Sequence, residues 1–472
     1  MTAPERRPPS ADATFGLALL VVAFVPRLFA AWSLGGEAVW DGHYYDFGAR
    51  RIAEGFGYSD DVLLGGRAVW HPWCHYPVGY SAFLAPFYAL FGPTARTAGF
   101  VNAAVGAALA VVTWLLGRRA LPETRARAAG LVVALHPGMI LYAGLVMSEP
   151  LAALGTLVSF WVATAGRPSW LRFAAAAMLL GLAALVRPQA LLCAPFLGAL
   201  AGPPLRGGPL RRAAVGAACA CALTLVPIAP WTARNCRVMD GCALVSTNGG
   251  WNLAIGAFPR ATGRFETLRS SDGCREVTGQ VQQDRCWFAY GVAQIREAPG
   301  RWLALVPKKL GFTFDHESFP VGYLREARPS AWPEARAELA RGVLSTVHRV
   351  LLLAAALGCV AFARRGRGAA VQGALLGLGL LGLVVAARTG AFWPLAVLAA
   401  GAPFVPWPGR ASWPAALLLP ASLLLTTLVT HAVFFGEDRY HVVVVPTLAL
   451  LAAAALRPSA PGGAPALSRE PT

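Results

Sequence analysis

Charge is scarce in this chain, and lysine is almost missing. Of 472 residues only 14% are charged, against roughly 25% in soluble domains. Lys308 and Lys309 are the only lysines, so nearly all positive charge is arginine. So few charges exclude a soluble domain with an ordinary solvated surface. A Gly-rich phosphate loop of the Walker type is also missing, and no soluble nucleotide-sugar site is visible. No convincing internal repeat appears, which argues against a transporter built from symmetric halves. The first apolar run has no small-x-small cleavage site before Asp41, so it reads as a retained helix.

What the chain has instead is apolar sequence in long runs. It is 56% hydrophobic, with a mean hydropathy of +0.51. The runs reach about 16–23 residues, the length that crosses a hydrocarbon core of about 30 Å. About twelve spans are expected, at 15–34, 97–117, 127–146, 149–165, 172–187, 189–201, 212–231, 341–363, 370–386, 390–406, 413–434 and 440–456. The fold class is therefore an all-α polytopic membrane protein, with one membrane domain over 15–456. Residues 1–14 and 457–472 are expected as cytoplasmic tails, the latter disordered.

The net charge of +17 does not point to nucleic acid. Its arginines lie in alternate short loops: Arg6/Arg7, Arg118/Arg119, Arg125/Arg127, Arg167/Arg172, Arg206/Arg211/Arg212, Arg364/Arg365/Arg367 and Arg410. That alternation is the positive-inside pattern. It puts two long segments, 35–96 and 232–340, on the outer face.

The first outer segment opens with Trp40-Asp41-Gly42-His43-Tyr44-Tyr45-Asp46. Tyr45, Gly48, Ile52 and Phe56 recur at helical spacing, which suggests an interfacial helix. A second short apolar helix is expected over 80–91. In the second segment Cys236, Cys242, Cys274 and Cys286 are candidates for disulfides on the oxidising side. Pairing Cys236 with Cys242 and Cys274 with Cys286 closes the smallest loops, but three pairings are open. His71, Cys74 and His75 do not read as a metal site, because Pro72 and Pro77 disfavour the helix that such a pair needs. His136-Pro137 reads as a kink with a satisfied histidine. No metal ligands are assigned; a divalent cation is left open.

Several charged groups converge at the outer membrane level, where charge is costly and usually lines a cavity. Asp41 follows the first span. Ser148-Glu149-Pro150 turns between spans. Arg187-Pro188 closes one span, and Glu437-Asp438-Arg439-Tyr440 joins the last two. A carboxylate can take a proton from an acceptor, while arginine and lysine can hold a departing phosphate. Asp41 and Glu149 are the candidate catalytic groups, although Glu149 also suits helix capping with Ser148. Arg439, Arg187, Lys308, Lys309 and Arg27 are the candidate ligands of a lipid phosphate. Arg27, inside the first span, has structural pairing as its alternative. Tyr45, His75, Tyr76, Tyr440 and Asn248 are expected to shape the substrate pocket. The stretch Ser246–Leu253 is Gly/Asn-rich and suits backbone cradling of a sugar or phosphate.

Ordered along the chain, these motifs resemble the glycosyltransferase C (GT-C) superfamily, in the group of bacterial protein O-mannosyltransferases and aminoarabinose transferases. The motifs are Trp40-Asp41-Gly42-His43-Tyr44-Tyr45 with Gly55-Phe56-Gly57-Tyr58-Ser59, then Tyr76-Pro77-Val78-Gly79-Tyr80 and Ser148-Glu149. They continue with Leu185-Val186-Arg187-Pro188, Pro230-Trp231-Thr232-Ala233-Arg234-Asn235, Ser246–Leu253, and Arg439-Tyr440 with Pro446. The resemblance implies a GT-C-like helical bundle in a bacterial inner membrane. It implies a polyprenyl-phosphate sugar donor and inverting transfer on the periplasmic face to a lipid, glycan or protein acceptor, with Asp41 as base. One position departs from it. The mannosyltransferase pattern has Asp-Glu where this chain has Asp41-Gly42. The rival readings are a lipid-linked sugar flippase and a polysaccharide ligase or polymerase.

Overall fold

The computed structural model describes residues 11–363, 369–405 and 413–455. The tail 457–472, most of the tail 1–14, and the arginines at 6, 7, 364, 365, 367 and 410 lie outside them. Residues 11–14 open the first helix, α1 (Ala11–Leu34). Asp12 in its first turn pairs with Arg118 and Arg127.

The chain then runs as α2 (Asp41–Ala53), α3 (Gly79–Phe91), α4 (Ala95–Gly117), α5 (Glu123–Leu135), α6 (Pro137–Leu141), α7 (Glu149–Ala163) and α8 (Trp170–Val186). Next come α9 (Ala194–Ala201), α10 (Pro209–Leu225), α11 (Ala229–Val238), α12 (Gly249–Ala257), α13 (Gln280–Glu297), α14 (Pro299–Ala304), α15 (Val306–Phe314) and α16 (Phe319–Ala327). The last are α17 (Glu334–Ala363), α18 (Ala369–Thr389), α19 (Trp393–Gly401), α20 (Ala415–Val433) and α21 (Val445–Ala453). Leu63–Leu64 and Arg67–Ala68 form a short antiparallel hairpin.

This is a mostly helical, multi-pass membrane architecture, but the expected dozen spans are not confirmed. Among the described residues four helices are long and apolar enough to cross a bilayer, or six if each of two bent pairs is one span. The physical reason is length. Helices such as α7 and α8 have 15 and 17 residues. At 1.5 Å per residue they rise only about 22–26 Å, short of a core of about 30 Å. The segment expected over 440–456 is split between a 3-10 stretch, Asp438–Val444, and α21. His136-Pro137 does break its helix, with a bend of 51° between α5 and the following turn. Pro137 cannot continue the ladder, and the His136 ring caps the next turn by accepting from the Met139 amide at 3.4 Å.

The two outer segments interlock above the bundle. Arg234 donates to the carbonyls of Trp73 at 3.0 Å and Tyr58 at 2.6 Å. The Gln280 side chain bonds the amide of Cys74 and the carbonyl of Pro72. Cys236 is joined to Cys242 and Cys274 to Cys286. Helices α2 and α3 pack against each other, and α3 also packs on α4 and α8. Phe56 lies past the end of α2 and is exposed. This scaffold holds the start of α2 over the bundle.

Candidate active site

Asp41 is the first residue of α2, where the helix dipole favours a carboxylate. Trp40 before it has φ +50°, the only positive φ of a non-glycine among the described residues. Such a conformation is costly and persists only where the surroundings impose it. The imposing contacts are aromatic: the Trp40 ring packs on Phe319 and Tyr323. The Tyr323 hydroxyl accepts from the Val39 and Val146 amides. Gly42 follows from the same crowding. A Cβ there would meet the Tyr323 hydroxyl and the Val146 carbonyl, so a glutamate has no room.

One Asp41 oxygen accepts from the Tyr76 hydroxyl at 2.8 Å. The other is paired with Arg439. Burial alone would raise this carboxyl's pKa. The Arg439 charge and the hydrogen bonds from Tyr76 and Arg439 outweigh burial and hold it below the ordinary value. Arg439 also pairs with Glu437 at 2.7 Å and donates to the Tyr440 hydroxyl at 3.0 Å. Burial pushes the Glu437 carboxyl up, against the pull of Arg439. His75 lies edge-on to Tyr76 and Trp251. Burial pushes its pKa down to about 4, so its ring is neutral near pH 7.

Two cavities meet at this pair. One, of about 560 Å³, is bordered by Asp41, Tyr45, His75, Tyr76, Arg187, Asn248, Arg439 and Tyr440. The other, of about 740 Å³, is bordered by Asp41, Tyr76, Arg264, His316, Phe319 and Arg439. Asp41, Tyr44, Tyr76, Phe265 and Arg439 border both and form a partition. An acid, a bidentate cation and stacked aromatics thus sit between two spaces, each large enough for a substrate group.

Other expected site residues are placed elsewhere. Glu149 is fully buried and borders neither cavity; it pairs with Arg187 at 2.7 Å. A group shut behind its partner cannot reach an acceptor, so its effect passes through Arg187. Arg27 is also fully buried. It donates to the carbonyls of Ala23, Val133 and Ala134 at 2.6–2.8 Å, so it closes the C-terminal end of α5, and it borders neither cavity. Lys309 is buried, donates to the Val433 carbonyl at 3.0 Å and lies over the Trp302 ring. Lys308 is exposed, and neither lysine borders either of these two cavities. The Gly/Asn-rich stretch is not an open cradle: Asp284 accepts from the Gly250 and Trp251 amides at 2.7 and 3.3 Å.

Sequence reading missed Tyr44, Arg275, Arg264 and His431. Tyr44 stacks on Tyr76 with centroids 4.8 Å apart. Its signal was present, since it lies one turn after Asp41 on α2. His431 stacks on Tyr440 at 4.0 Å, and a histidine ending an apolar run was a signal too. Arg264 and Arg275 carry no local pattern.

No protein-family model matches the chain, and no curated protein matches it. Among solved structures it is similar to the oligosaccharyltransferase of Archaeoglobus fulgidus tethered with an acceptor peptide. The identity is 14% and the TM-score 0.42, over 93% of this chain and 49% of that one. The same organism's AglB, in complex with an inhibitory peptide and a dolichol-phosphate, is 14% identical at TM-score 0.41, over 93% and 50%. ArnT from Cupriavidus metallidurans, bound to undecaprenyl phosphate, is 14% identical at TM-score 0.38, over 94% and 77%. The chain spans about half the length of the archaeal enzyme. What the site can do is read from its own residues.

Proposed function

We propose that this chain is a membrane glycosyltransferase that takes a sugar from a polyprenyl-phosphate donor. The observation that carries the reading is the Asp41–Arg439 pair standing between two cavities. The donor sugar and phosphate occupy the smaller cavity, between Arg187 and Arg439. The acceptor (lipid, glycan or protein) enters the larger one. The membrane domain over 15–456 acts as one unit, and both cavities open on the periplasmic side of a bacterial inner membrane.

In the resting pair Asp41 is a poor base, because Arg439 lowers its proton affinity. An incoming phosphate competes with Asp41 and Glu437 for the same guanidinium. As Arg439 turns to the phosphate, Asp41 becomes more basic. It then takes the proton of the acceptor hydroxyl or amine. The acceptor's oxygen or nitrogen attacks the anomeric carbon, the bond from that carbon to the phosphate oxygen breaks, and the configuration inverts. The lipid phosphate departs with the bonding electron pair, held by Arg439 and Arg187.

The test is transfer from a panel of polyprenyl-phosphate monosaccharides in proteoliposomes, with wild type beside Asp41→Asn. Transfer by the wild type and its loss in a folded variant support the assignment. Equal transfer by both removes Asp41 as base. Labelled lipid crossing the bilayer with no transfer from any donor replaces the enzyme by a flippase.

A further inference from the structure

Bordering neither cavity, Glu317, His348 and His441 come together inside the protein. Glu317 lies between α15 and α16, His348 within α17, and His441 in the 3-10 stretch before α21. None is more than 1% exposed. His441 Nε2 is 3.6 Å from a Glu317 oxygen, and one ligand atom from each of the three residues lies within 4.8 Å of the others. The two rings are stacked, with centroids 3.7 Å apart.

The hydrogen bonds decide which ring nitrogens hold protons. His441 Nδ1 lies 2.7 Å from the Thr313 carbonyl and His348 Nε2 lies 2.9 Å from the Phe314 carbonyl. A carbonyl only accepts, so those nitrogens carry the hydrogens. His441 Nε2 and His348 Nδ1 are then bare lone pairs. Neither finds a hydrogen-bond partner among the described residues, and neither do the Glu317 oxygens. Three buried acceptor groups that share one space and make no hydrogen bond are costly. Protonating both stacked rings would place like charges together. One cation between them answers all three.

We propose that Glu317, His348 and His441 bind a divalent cation of the zinc class, distinct from the Asp41 site. Two imidazoles and a carboxylate suit zinc better than magnesium or calcium. Zinc ligands at about 2.0–2.1 Å set tetrahedral donor atoms about 3.3 Å apart, so binding draws together atoms that here lie within 4.8 Å of one another. Both Glu317 oxygens are free to bind, which allows bidentate ligation. The outer shell fits as well. Each ring gives its second N–H to a main-chain carbonyl, the arrangement that orients metal-bound histidines. His136, whose Nδ1 accepts from Met139, turns Nε2–H toward Glu317 at 3.9 Å. Gly138 makes the cradle: a Cβ there would collide with the Glu317 carboxylate.

The cation is structural. It ties α17 and the end of α15 to the segment that carries Arg439, two residues before His441. Beside it, Asp438 accepts from the Ser318 and Phe319 amides. The metal assignment does not depend on the transfer reaction.

The full chain, purified in detergent without chelator or a metal-affinity step, is analysed by elemental mass spectrometry. Stoichiometric zinc is expected in the wild type and its loss in Glu317→Gln and His348→Gln. A strong chelator lowers the wild-type Tm by several degrees and leaves that of Glu317→Gln unchanged. Cobalt(II) loading of the wild type gives visible bands of four-coordinate nitrogen and oxygen ligation, a readout that needs no variant to fold. A wild type that holds no zinc, takes up no cobalt and ignores the chelator overturns the site and leaves a shared proton in its place. Metal retained in full by both variants places the ion elsewhere and also overturns it.

Discussion

Arg27 is fully buried and Arg439 largely so, and they differ in what answers their charge. Arg27 is surrounded by main-chain carbonyls, from its own helix and from the end of α5. Arg439 is answered by two carboxylates and a phenol and borders both cavities. Carbonyls of a broken helix cannot leave without local unfolding, so the first arginine is committed to the fold. Carboxylates beside a cavity can exchange their cation with an incoming anion. Burial and charge together therefore do not mark a ligand-binding arginine. An exchangeable counter-charge and adjoining space do.

The comparison breaks first at Asp41. In the proteoliposome assay Asp41→Asn should cut transfer by at least about 100-fold. Arg439→Lys comes next. A single ammonium cannot hold two carboxylates in a fork, so transfer should fall about 10- to 100-fold. Its pH profile sharpens the point. Asp41 has a lowered folded pKa, so its stabilising pair is present above the unfolded value and is lost as pH falls through the lower, folded one. Weakening the pair raises the folded value, and the acidic limb of the pH–rate profile should move to higher pH in Arg439→Lys.

Arg27→Met tests the other half. Removing three charge-assisted bonds to buried carbonyls should cost about 3 kcal/mol or more. The effect is read as a lower Tm in detergent, with transfer per folded molecule unchanged. Gly42→Glu should cost about 1–3 kcal/mol by overpacking, because the added side chain must displace Tyr323 or Val146; urea or thermal unfolding measures it. Lys308→Gln should do least, within about 0.5 kcal/mol for an exposed site and with transfer nearly unchanged.

The membrane class was legible because runs of apolar residues need no partner to be recognised. So were much of the first cavity's walls: Asp41, Tyr45, His75, Tyr76, Arg187, Asn248, Arg439 and Tyr440 all border it. They sit in short local motifs, and a motif carries its neighbours with it. Glu149 was harder to read. A buried ion pair and an exposed helix cap share the same letters, and only the approach of Arg187 separates them. The count of about twelve spans is not confirmed for a similar reason, since hydropathy joins a short helix to the 3-10 turn beside it.

The sequence by itself determined a helical membrane protein whose scarce charges mostly lie between its apolar runs, because an isolated charge in hydrocarbon is too costly to leave elsewhere. Only the tertiary structure decided which charges meet. It set Arg439 against Asp41, Arg27 against the end of α5, and Glu317 beside His348 and His441. Those pairings join segments far apart in the chain, and Coulomb attraction and ligand geometry depend on distance in space, which no local pattern of residues contains.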